Sequence, residues 1–117
     1  MNNIKKILIV DDKEAPRFAL KKGLQSLGYV VYEAKNGLEG TARATLEMPD
    51  LIIADRNMPK RTGYQMAKNL KAHLPTSKIP IIGYGDFENQ EKEILDYSYI
   101  KPNQMIDMLD KVNEILN

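Results

Sequence analysis

The sequence predicts an α/β fold, a doubly wound parallel sheet of five strands with helices on both of its faces. Five short apolar runs, each of a length typical of buried strands, alternate with five segments of helical periodicity. Two of these runs, the first and the third, end directly on aspartates. Because the carboxyl ends of parallel strands border the crevice where ligands bind, these acids are candidate functional residues.

The composition fits one compact domain. The chain has 117 residues, of which 43% are hydrophobic, enough for one core and too few for a second domain. A net charge of +1 is too weak to predict nucleic acid or an anionic membrane as a partner. The absence of cysteine excludes disulfides, thiol catalysis and thiolate metal sites. With neither a signal peptide nor an apolar run of the roughly 20 residues that span a membrane, we expect a soluble cytoplasmic protein.

The first three elements are a strand, a helix and a strand. Residues 4–10 are a β-branched run typical of a strand, and residues 29–34 are a second run of this kind. Residues 15–27 have helical periodicity, and Gly28 provides a C-terminal stop. The apolar side chains of this helix are Phe18, Ala19, Leu24 and Leu27.

The next three elements are a helix, a strand and a helix. Gly37–Glu47 is a predicted helix, followed by Leu51–Ala54, an isoleucine-rich strand buried on both faces. Residues 63–73 form the third helix, which Pro75 closes. The predicted core faces of the two helices are Leu38, Ala42 and Leu46, and then Tyr64, Met66, Ala67, Leu70 and Leu74.

The chain ends with two strands and two helices. Residues 79–84 form the fourth strand, with Pro80 at its start because proline cannot donate to the sheet. Residues 87–95 form a short polar helix with few core-facing side chains, and residues 97–100 form the last strand. Residues 104–116 form the last helix, with Asn103 as its N-cap. Its predicted apolar face is Met105, Ile106, Leu109, Val112, Ile115 and Leu116.

The strand order 2-1-3-4-5, common for a sheet of this size, brings four charged side chains to one edge. They are Asp11, Asp12, Asp55 and Lys101. Three crowded carboxylates repel one another, and a hard divalent cation such as Mg²⁺, which prefers oxygen ligands, relieves that repulsion. Asp55 can then act as a nucleophile towards phosphorus and form an aspartyl phosphate, while the metal and the Lys101 ammonium stabilise charge on the transferred group.

Three motifs follow the strands that end at this edge: Asp11-Asp12, the string Asp55-Arg56-Asn57-Met58-Pro59 with Gly63 beyond it, and Lys101-Pro102. Each is weak alone, but together they resemble the receiver domain of bacterial two-component response regulators, whose fold is flavodoxin-like. The resemblance covers essentially the whole chain. It implies that residues 1–117 form a single receiver domain.

The resemblance also implies roles for individual residues. Asp55 is the phosphorylation site, Lys101 contacts the phosphoryl group, and Mg²⁺ is held by Asp11 or Asp12 together with Asp55 and the backbone carbonyl of Asn57. The donor is a histidine kinase or a histidine phosphotransfer protein, and a downstream protein is the target. A signalling domain of this kind is not an enzyme beyond self-phosphorylation and autodephosphorylation. Pairing of two copies through the fourth helix, fifth strand and fifth helix is left open.

The sequence departs from the family pattern after the fourth strand. Receivers usually carry a Thr or Ser there, followed by a small residue, and the hydroxyl binds the phosphoryl group and moves on phosphorylation. Gly85 and Asp86 occupy these positions. The interval to Lys101 is shorter than usual by roughly six residues, more than one helical turn, which predicts a clipped fourth helix. Ser98 stands where an aromatic residue is usual.

Two functions therefore stay open. One is a phosphoacceptor domain; the other, favoured by Gly85, Asp86 and the short fourth helix, is a receiver-like interaction module that works without phosphorylation. A phosphatase with an aspartate nucleophile is disfavoured because Asn57 stands where a second acid is needed. A flavin carrier of similar fold is disfavoured because no hydroxyl-rich phosphate loop follows the first strand.

Two local alternatives apply at the same edge. Asp12 has a structural alternative to metal binding, because an acid just after a strand often caps the following helix. Three cations near the site predict a small basic rim that attracts a phosphorylated partner or is simply solvated. They are Arg56, Lys60 and Arg61.

Overall fold

A computed structural model describes residues 3–117 and contains five strands that alternate with five helices. The strands are β1 Lys6–Val10, β2 Val30–Ala34, β3 Leu51–Ala54, β4 Ile81–Tyr84 and β5 Tyr97–Tyr99. The helices are α1 Glu14–Ser26, α2 Gly37–Glu47, α3 Gly63–Ala72, α4 Asn89–Lys92 and α5 Met105–Leu116, with a 3₁₀ turn at Leu74–Thr76. The structure confirms the predicted element order, and most bounds agree within two residues.

The five strands form one parallel sheet in the order β2-β1-β3-β4-β5, as predicted. In the register of this sheet, Val10 of β1 lies beside Ala54 of β3, and Ala54 lies beside Gly83 of β4. The residues that follow β1 and β3 therefore emerge side by side at the carboxyl edge. No helix in residues 3–117 is both long and apolar enough to cross a membrane.

The core consists of two layers, one on each face of the sheet. Alternate strand residues enter the two layers, as period-2 side-chain direction requires. Leu8 and Ile52 pack against α2, α3 and the segment around α4, whereas Ile9 and Ile53 pack against α1 and α5. This double coverage explains why the strands are continuous apolar runs in the sequence.

The predicted core face of α2 is wrong. Leu38 is half exposed and Leu46 is 74% exposed, whereas the buried residues of the helix are Gly37, Gly40 and Ala44. The reason is the close approach of α2 to the sheet. A Cβ atom at Gly40 would lie 2.6 Å from Met66 Sδ and 2.9 Å from Val10 Cγ1, so only the small residues of α2 fit against the sheet.

Other helix faces also differ from the predicted ones. In α1 the core contacts come from Leu20 and Leu24, while Phe18 and Leu27 are exposed. Ile106 of α5 is exposed because it lies off the stripe formed by the buried residues of that helix, and Leu74 is exposed in the 3₁₀ turn beyond α3. The buried residues of α5 are Met108, Val112 and Leu116. Asn103 is not the N-cap of α5; that position is Gln104, without a side-chain cap.

The predicted shortening of the fourth helix is confirmed, since α4 has only four residues. The few core-facing side chains of this segment lie at the flanks of α4. Phe87 and Leu95 are both buried against Gly83, where a Cβ atom would lie 2.7 Å from Phe87 Cε2 and 2.6 Å from Leu95 Cδ1. Two large side chains over a glycine thus replace the packing that a longer helix would supply.

The close packing of α2 leads to a stability prediction. We expect Gly40→Ala to lower the free energy of unfolding by about 1–3 kcal/mol, the usual cost of overpacking a core. Gly23→Ala is the matched control, because a Cβ atom there meets nothing within 4 Å in the middle of α1. This control should gain about 0.5–1 kcal/mol from helix propensity. Urea unfolding measures the free energy of unfolding of both variants. Equal changes in the two variants would contradict the close packing of α2 against the sheet.

Candidate functional site

The residues that follow β1 and β3 form an acidic cluster at the carboxyl edge of the sheet. Asp11, Asp12 and Asp55 each offer a carboxylate oxygen, and these three atoms lie within 4.8 Å of one another. Asp11 is 5% exposed and Asp55 is 9% exposed, whereas Asp12 is open to solvent. The cluster therefore has a buried floor and one side accessible to a ligand.

Backbone hydrogen bonds hold the two buried acids in place. The backbone N–H of Asp55 donates to the carbonyl oxygen of Val10 at 2.9 Å, and that of Asp11 donates to the carbonyl oxygen of Ala34 at 3.1 Å. The sheet ladder thus extends one residue beyond each strand. The positions of these two acids follow from the rigid sheet rather than from a flexible loop.

Lys101 joins the cluster from the segment after β5. Its Nζ atom lies 2.6 Å from Asp11 Oδ2 and 3.5 Å from Asp55 Oδ1. The peptide bond between Lys101 and Pro102 is cis. The structure thus brings together the four charged side chains that the sequence predicts at this edge.

The environment of Asp55 disfavours its ionised form. Burial is the largest effect and raises the pKa of Asp55 above the ordinary value of 3.8, and the negative charge of Asp11 raises it further. The Lys101 ammonium and a hydrogen bond from the Arg56 backbone oppose this shift without cancelling it. A cation bound among the carboxylates would favour the ionised form.

The donor atoms suit a hard divalent cation, since every side chain of the acidic cluster offers oxygen. Asp12 does not cap α1, so that structural alternative is wrong. The N-cap of α1 is Lys13, without a side-chain cap, and it is Asp11 Oδ1 that accepts a hydrogen bond from the Lys13 backbone at 2.9 Å. Asn57 lies exposed in the loop after β3, and its carbonyl as a metal ligand stays a prediction.

Gly63 explains why the loop after β3 keeps a fixed shape. A Cβ atom at this position would overlap the carbonyl oxygen of Asp55, so only glycine fits. Its backbone N–H donates to the carbonyl oxygen of Arg56 at 2.9 Å. Thr62 then begins α3 with a capping box to Gln65. These contacts close the loop under the acidic cluster.

Of the three positions that depart from the family pattern, Gly85 lies against the acidic cluster. A Cβ atom at Gly85 would lie 3.1 Å from Asp55 Oδ1 and 3.3 Å from the Arg56 backbone nitrogen, so the glycine lets its backbone approach the candidate nucleophile closely. Asp86 is exposed. Ser98 is half-buried in β5, paired in register with Gly83 and flanked by Tyr97 and Tyr99.

The predicted basic rim is not formed by three equivalent cations. Arg56 binds two carboxylates of the α4 region, with Nε 2.7 Å from Glu91 Oε1 and Nη2 2.8 Å from Glu88 Oε1. Arg61 donates to the Thr41 hydroxyl at 3.3 Å. Arg56 is thus already paired, and periodicity could not indicate this pairing because Arg56 and Glu91 are 35 residues apart.

Tyr84 was not among the predicted site residues. It is 4% exposed, its hydroxyl has no hydrogen-bond partner in residues 3–117, and the Lys101 Nζ atom lies 5.9 Å from the centre of its ring. Burial raises the pKa of Tyr84, and the negative charge of Asp11 adds to the shift. The strand register could have indicated Tyr84. Ala54 of β3 pairs with Gly83 of β4, so the next residues along the two strands, Asp55 and Tyr84, lie side by side.

Known proteins resemble this chain in both sequence and structure. A family model for the response regulator receiver domain matches residues 7–112. Protein PilH of Pseudomonas aeruginosa is 39% identical over 77 residues, which cover 66% of this chain. Sporulation initiation phosphotransferase F of Bacillus subtilis is 30% identical over 115 residues, covering 95% of this chain and 93% of that protein.

A solved structure resembles the whole fold. The response regulator protein TrrA of Thermotoga maritima, in complex with Mg²⁺-BeF, superposes with a TM-score of 0.87 at 27% identity, covering 96% of this chain and 99% of TrrA. The first curated relatives are longer than the matched region. The chain spans 64% of PilH and 6% of the sensor protein EvgS of Escherichia coli.

The raised pKa of Asp55 leads to a prediction about pH. Without a divalent cation, ionised Asp55 destabilises the folded state above its raised pKa, and this penalty disappears below the ordinary value of 3.8. We therefore expect Asp55→Asn to raise Tm at pH 7 by about 2–6 °C, as a change near 1 kcal/mol does in a domain of this size.

Thermal unfolding in a chelator between pH 3 and 8 measures this effect. The difference in Tm between the two proteins should shrink as the pH falls towards the ordinary value. Asp110→Asn, at an exposed position of α5, is the control and should show no such dependence. A constant difference in Tm at every pH would contradict the assignment to Asp55 ionisation.

Proposed function

Because the chain belongs to the response regulator receiver domain family, we propose that it accepts a phosphoryl group on Asp55 within a two-component or phosphorelay system. The donor is a histidine kinase or a histidine phosphotransfer protein, and a downstream protein reads the phosphorylated form. Receiver domains are signalling modules rather than ordinary enzymes. Any catalysis by this chain is limited to self-phosphorylation from a donor and autodephosphorylation.

The observation that carries this proposal is the position of the Lys101 ammonium between two buried carboxylates. Its Nζ atom is 2.6 Å from Asp11 Oδ2 and 3.5 Å from Asp55 Oδ1. An ammonium so close to the nucleophile can contact an oxygen of an incoming phosphoryl group without a large rearrangement. Charge stabilisation by groups already in position is the main catalytic effect available to phosphoryl transfer.

The transfer itself is a nucleophilic displacement at phosphorus. A carboxylate oxygen of ionised Asp55 forms a bond to phosphorus while the bond from phosphorus to the donor nitrogen breaks, and the electron pair of that bond returns to the imidazole. Lys101 then pairs with the new phosphoryl oxygens.

We further propose that Mg²⁺ is the cofactor, held by Asp11, Asp12 and Asp55 with the backbone carbonyl of Asn57. The oxygen-only donor set of the acidic cluster supports this choice. TrrA, which shares the fold, was solved with Mg²⁺-BeF. When bound, the ion supplies positive charge that favours the ionised form of Asp55 and attracts phosphoryl oxygens.

The partners are proteins under this proposal. The net charge of +1 favours neither nucleic acid nor an anionic membrane, and a cysteine-free sequence fits the cytoplasm. A homodimer through α4, β5 and α5 would have to form with an α4 of only four residues. Pairing of this kind stays a prediction.

A second candidate is an interaction module that works without phosphorylation. Gly85 favours it, because a glycine offers no hydroxyl to bind a phosphoryl group, and the exposed Asp86 adds negative charge nearby. This candidate requires that Asp55→Ala leave the affinity for a protein partner unchanged. A large loss of affinity in that variant would exclude it.

Phosphorylation can be tested by intact-protein mass. After incubation with Mg²⁺ and acetyl phosphate or phosphoramidate, we expect the wild-type chain to gain the mass of one phosphoryl group and Asp55→Ala to gain none. Asp110→Ala, a change at an exposed aspartate of α5, should be labelled like the wild type. Labelling of Asp55→Ala would refute Asp55 as the acceptor, and an unlabelled wild type with bound Mg²⁺ would favour the interaction module.

Metal binding is tested by thermal stability in Mg²⁺ and in a chelator. A ligand at 100 times its dissociation constant stabilises the folded state by about 2.7 kcal/mol, so Mg²⁺ should raise Tm. Asp12→Asn removes a charged ligand at an exposed position. It should weaken Mg²⁺ binding by at least about tenfold while leaving Tm in the chelator unchanged, and an unaltered Mg²⁺ affinity would contradict the ligand assignment of Asp12.

A further inference from the structure

Arg56 connects the phosphoacceptor residue to α4. It directly follows Asp55, and its guanidinium contacts both Glu88 and Glu91, with a further contact of 3.4 Å from Nη2 to Glu91 Oε2. The side chain of Arg56 is 25% exposed and that of Glu91 is 15% exposed. This partial burial distinguishes the pairing from an ordinary surface ion pair, and Arg56 lowers the pKa of Glu91.

The two carboxylates that Arg56 contacts also hold α4 together. Glu88 and Glu91 form the capping box of this helix, and Glu91 Oε1 accepts a hydrogen bond from the Glu88 backbone at 2.9 Å. A helix of four residues has almost no stability of its own, because nucleation costs more than so few hydrogen bonds return. Together with the buried flanking residues Phe87 and Leu95, these side-chain contacts therefore keep α4 ordered.

The backbone at Gly85 comes close to both Asp55 and Arg56. A Cβ atom there would be 3.1 Å from Asp55 Oδ1 and 3.6 Å from Arg56 Cβ. Since glycine has no side chain, nothing from this position stands between the acceptor oxygen and the base of the Arg56 side chain. Because Arg56 directly follows Asp55, rotation of the arginine side chain is the movement by which its guanidinium would reach a phosphoryl group on Asp55.

The charges favour such a move once Asp55 is phosphorylated. A phosphoryl group carries close to two negative charges and three acceptor oxygens, and the planar fork of arginine binds such oxygens in pairs. Of the two present partners, Glu88 is more than half exposed, so its ion pair is weak. The phosphoryl group would have Lys101 on one side and Arg56 on the other.

We propose that Arg56 binds the phosphoryl group of phosphorylated Asp55 and that its release from Glu88 and Glu91 loosens α4. This role rests on the proposed phosphorylation of Asp55. It gives the chain a way to report phosphorylation to α4 without the hydroxyl that Gly85 lacks. Arg56 is then both a ligand of the phosphoryl group and the link to the surface that changes.

The test compares the wild type with Arg56→Ala, Arg56→Lys and the double variant Glu88→Gln with Glu91→Gln. The matched control is Lys71→Ala, which removes another ion pair between distant elements, the one from Lys71 to Asp96 at 2.7 Å. Each protein is incubated with Mg²⁺ and acetyl phosphate. The rate of phosphorylation is followed by intact mass, and hydrogen exchange of residues 88–93 is measured before and after labelling.

In the wild type, exchange of residues 88–93 should accelerate on phosphorylation. Arg56→Ala should be phosphorylated about tenfold more slowly or worse, as expected for loss of a hydrogen bond to a charged group, and its α4 should exchange fast at all times. The double glutamine variant should also exchange fast at all times yet keep its phosphorylation rate. Arg56→Lys should recover part of the rate, and Lys71→Ala should match the wild type in both measurements.

The outcomes separate this inference from the proposed function. If the wild type is labelled and Arg56→Ala is labelled at the same rate, with the same acceleration of exchange in α4, the role of Arg56 is overturned while phosphorylation of Asp55 stands. If the wild type is not labelled although Mg²⁺ binds, both proposals are overturned. A slow Arg56→Ala whose α4 responds to phosphorylation like the wild type would also overturn the link to α4.

Discussion

The contact between one ammonium and two buried carboxylates is the constraint on which the rest of the site depends. Lys101 can reach Asp11 and Asp55 only because β1, β3 and β5 are parallel and end at the same edge of the sheet. Without the ammonium, two carboxylates with almost no access to water would repel each other at the end of a rigid ladder. The order of the strands is therefore what allows the charges of the site to balance.

Much of the fold and of the acidic cluster could be predicted from the sequence, because both depend on local patterns. Strands buried on both faces are continuous apolar runs, and a residue that directly follows such a strand can only lie at its carboxyl edge. Asp11 and Asp55 are of this kind. Lys101 follows a strand of only three residues. The Lys101-Pro102 motif indicated its role in the site as clearly as its position after a strand did.

The incorrect and missed features depend on distances between elements, which periodicity does not encode. Leu38 and Leu46 have perfect helical spacing, yet the close approach of α2 to the sheet selects Gly40 for the core. The sequence around Arg56 suggests only a solvated cation in a loop, because its partner Glu91 is 35 residues away. Neither could be found without knowing which surfaces come within a few ångströms.

The charged residues of the site lie in two parts of the molecule that differ in how firmly they are held, because β5 and α4 are short. Asp11 and Asp55 extend from central strands with neighbours on both sides, whereas Lys101 follows a three-residue strand at the edge of the sheet. Segments with few buried contacts open more readily than the core around them. The two acids are thus expected to be held more firmly than their counter-ion, so the charge balance of the site is coupled to the local stability of the sheet edge at β5.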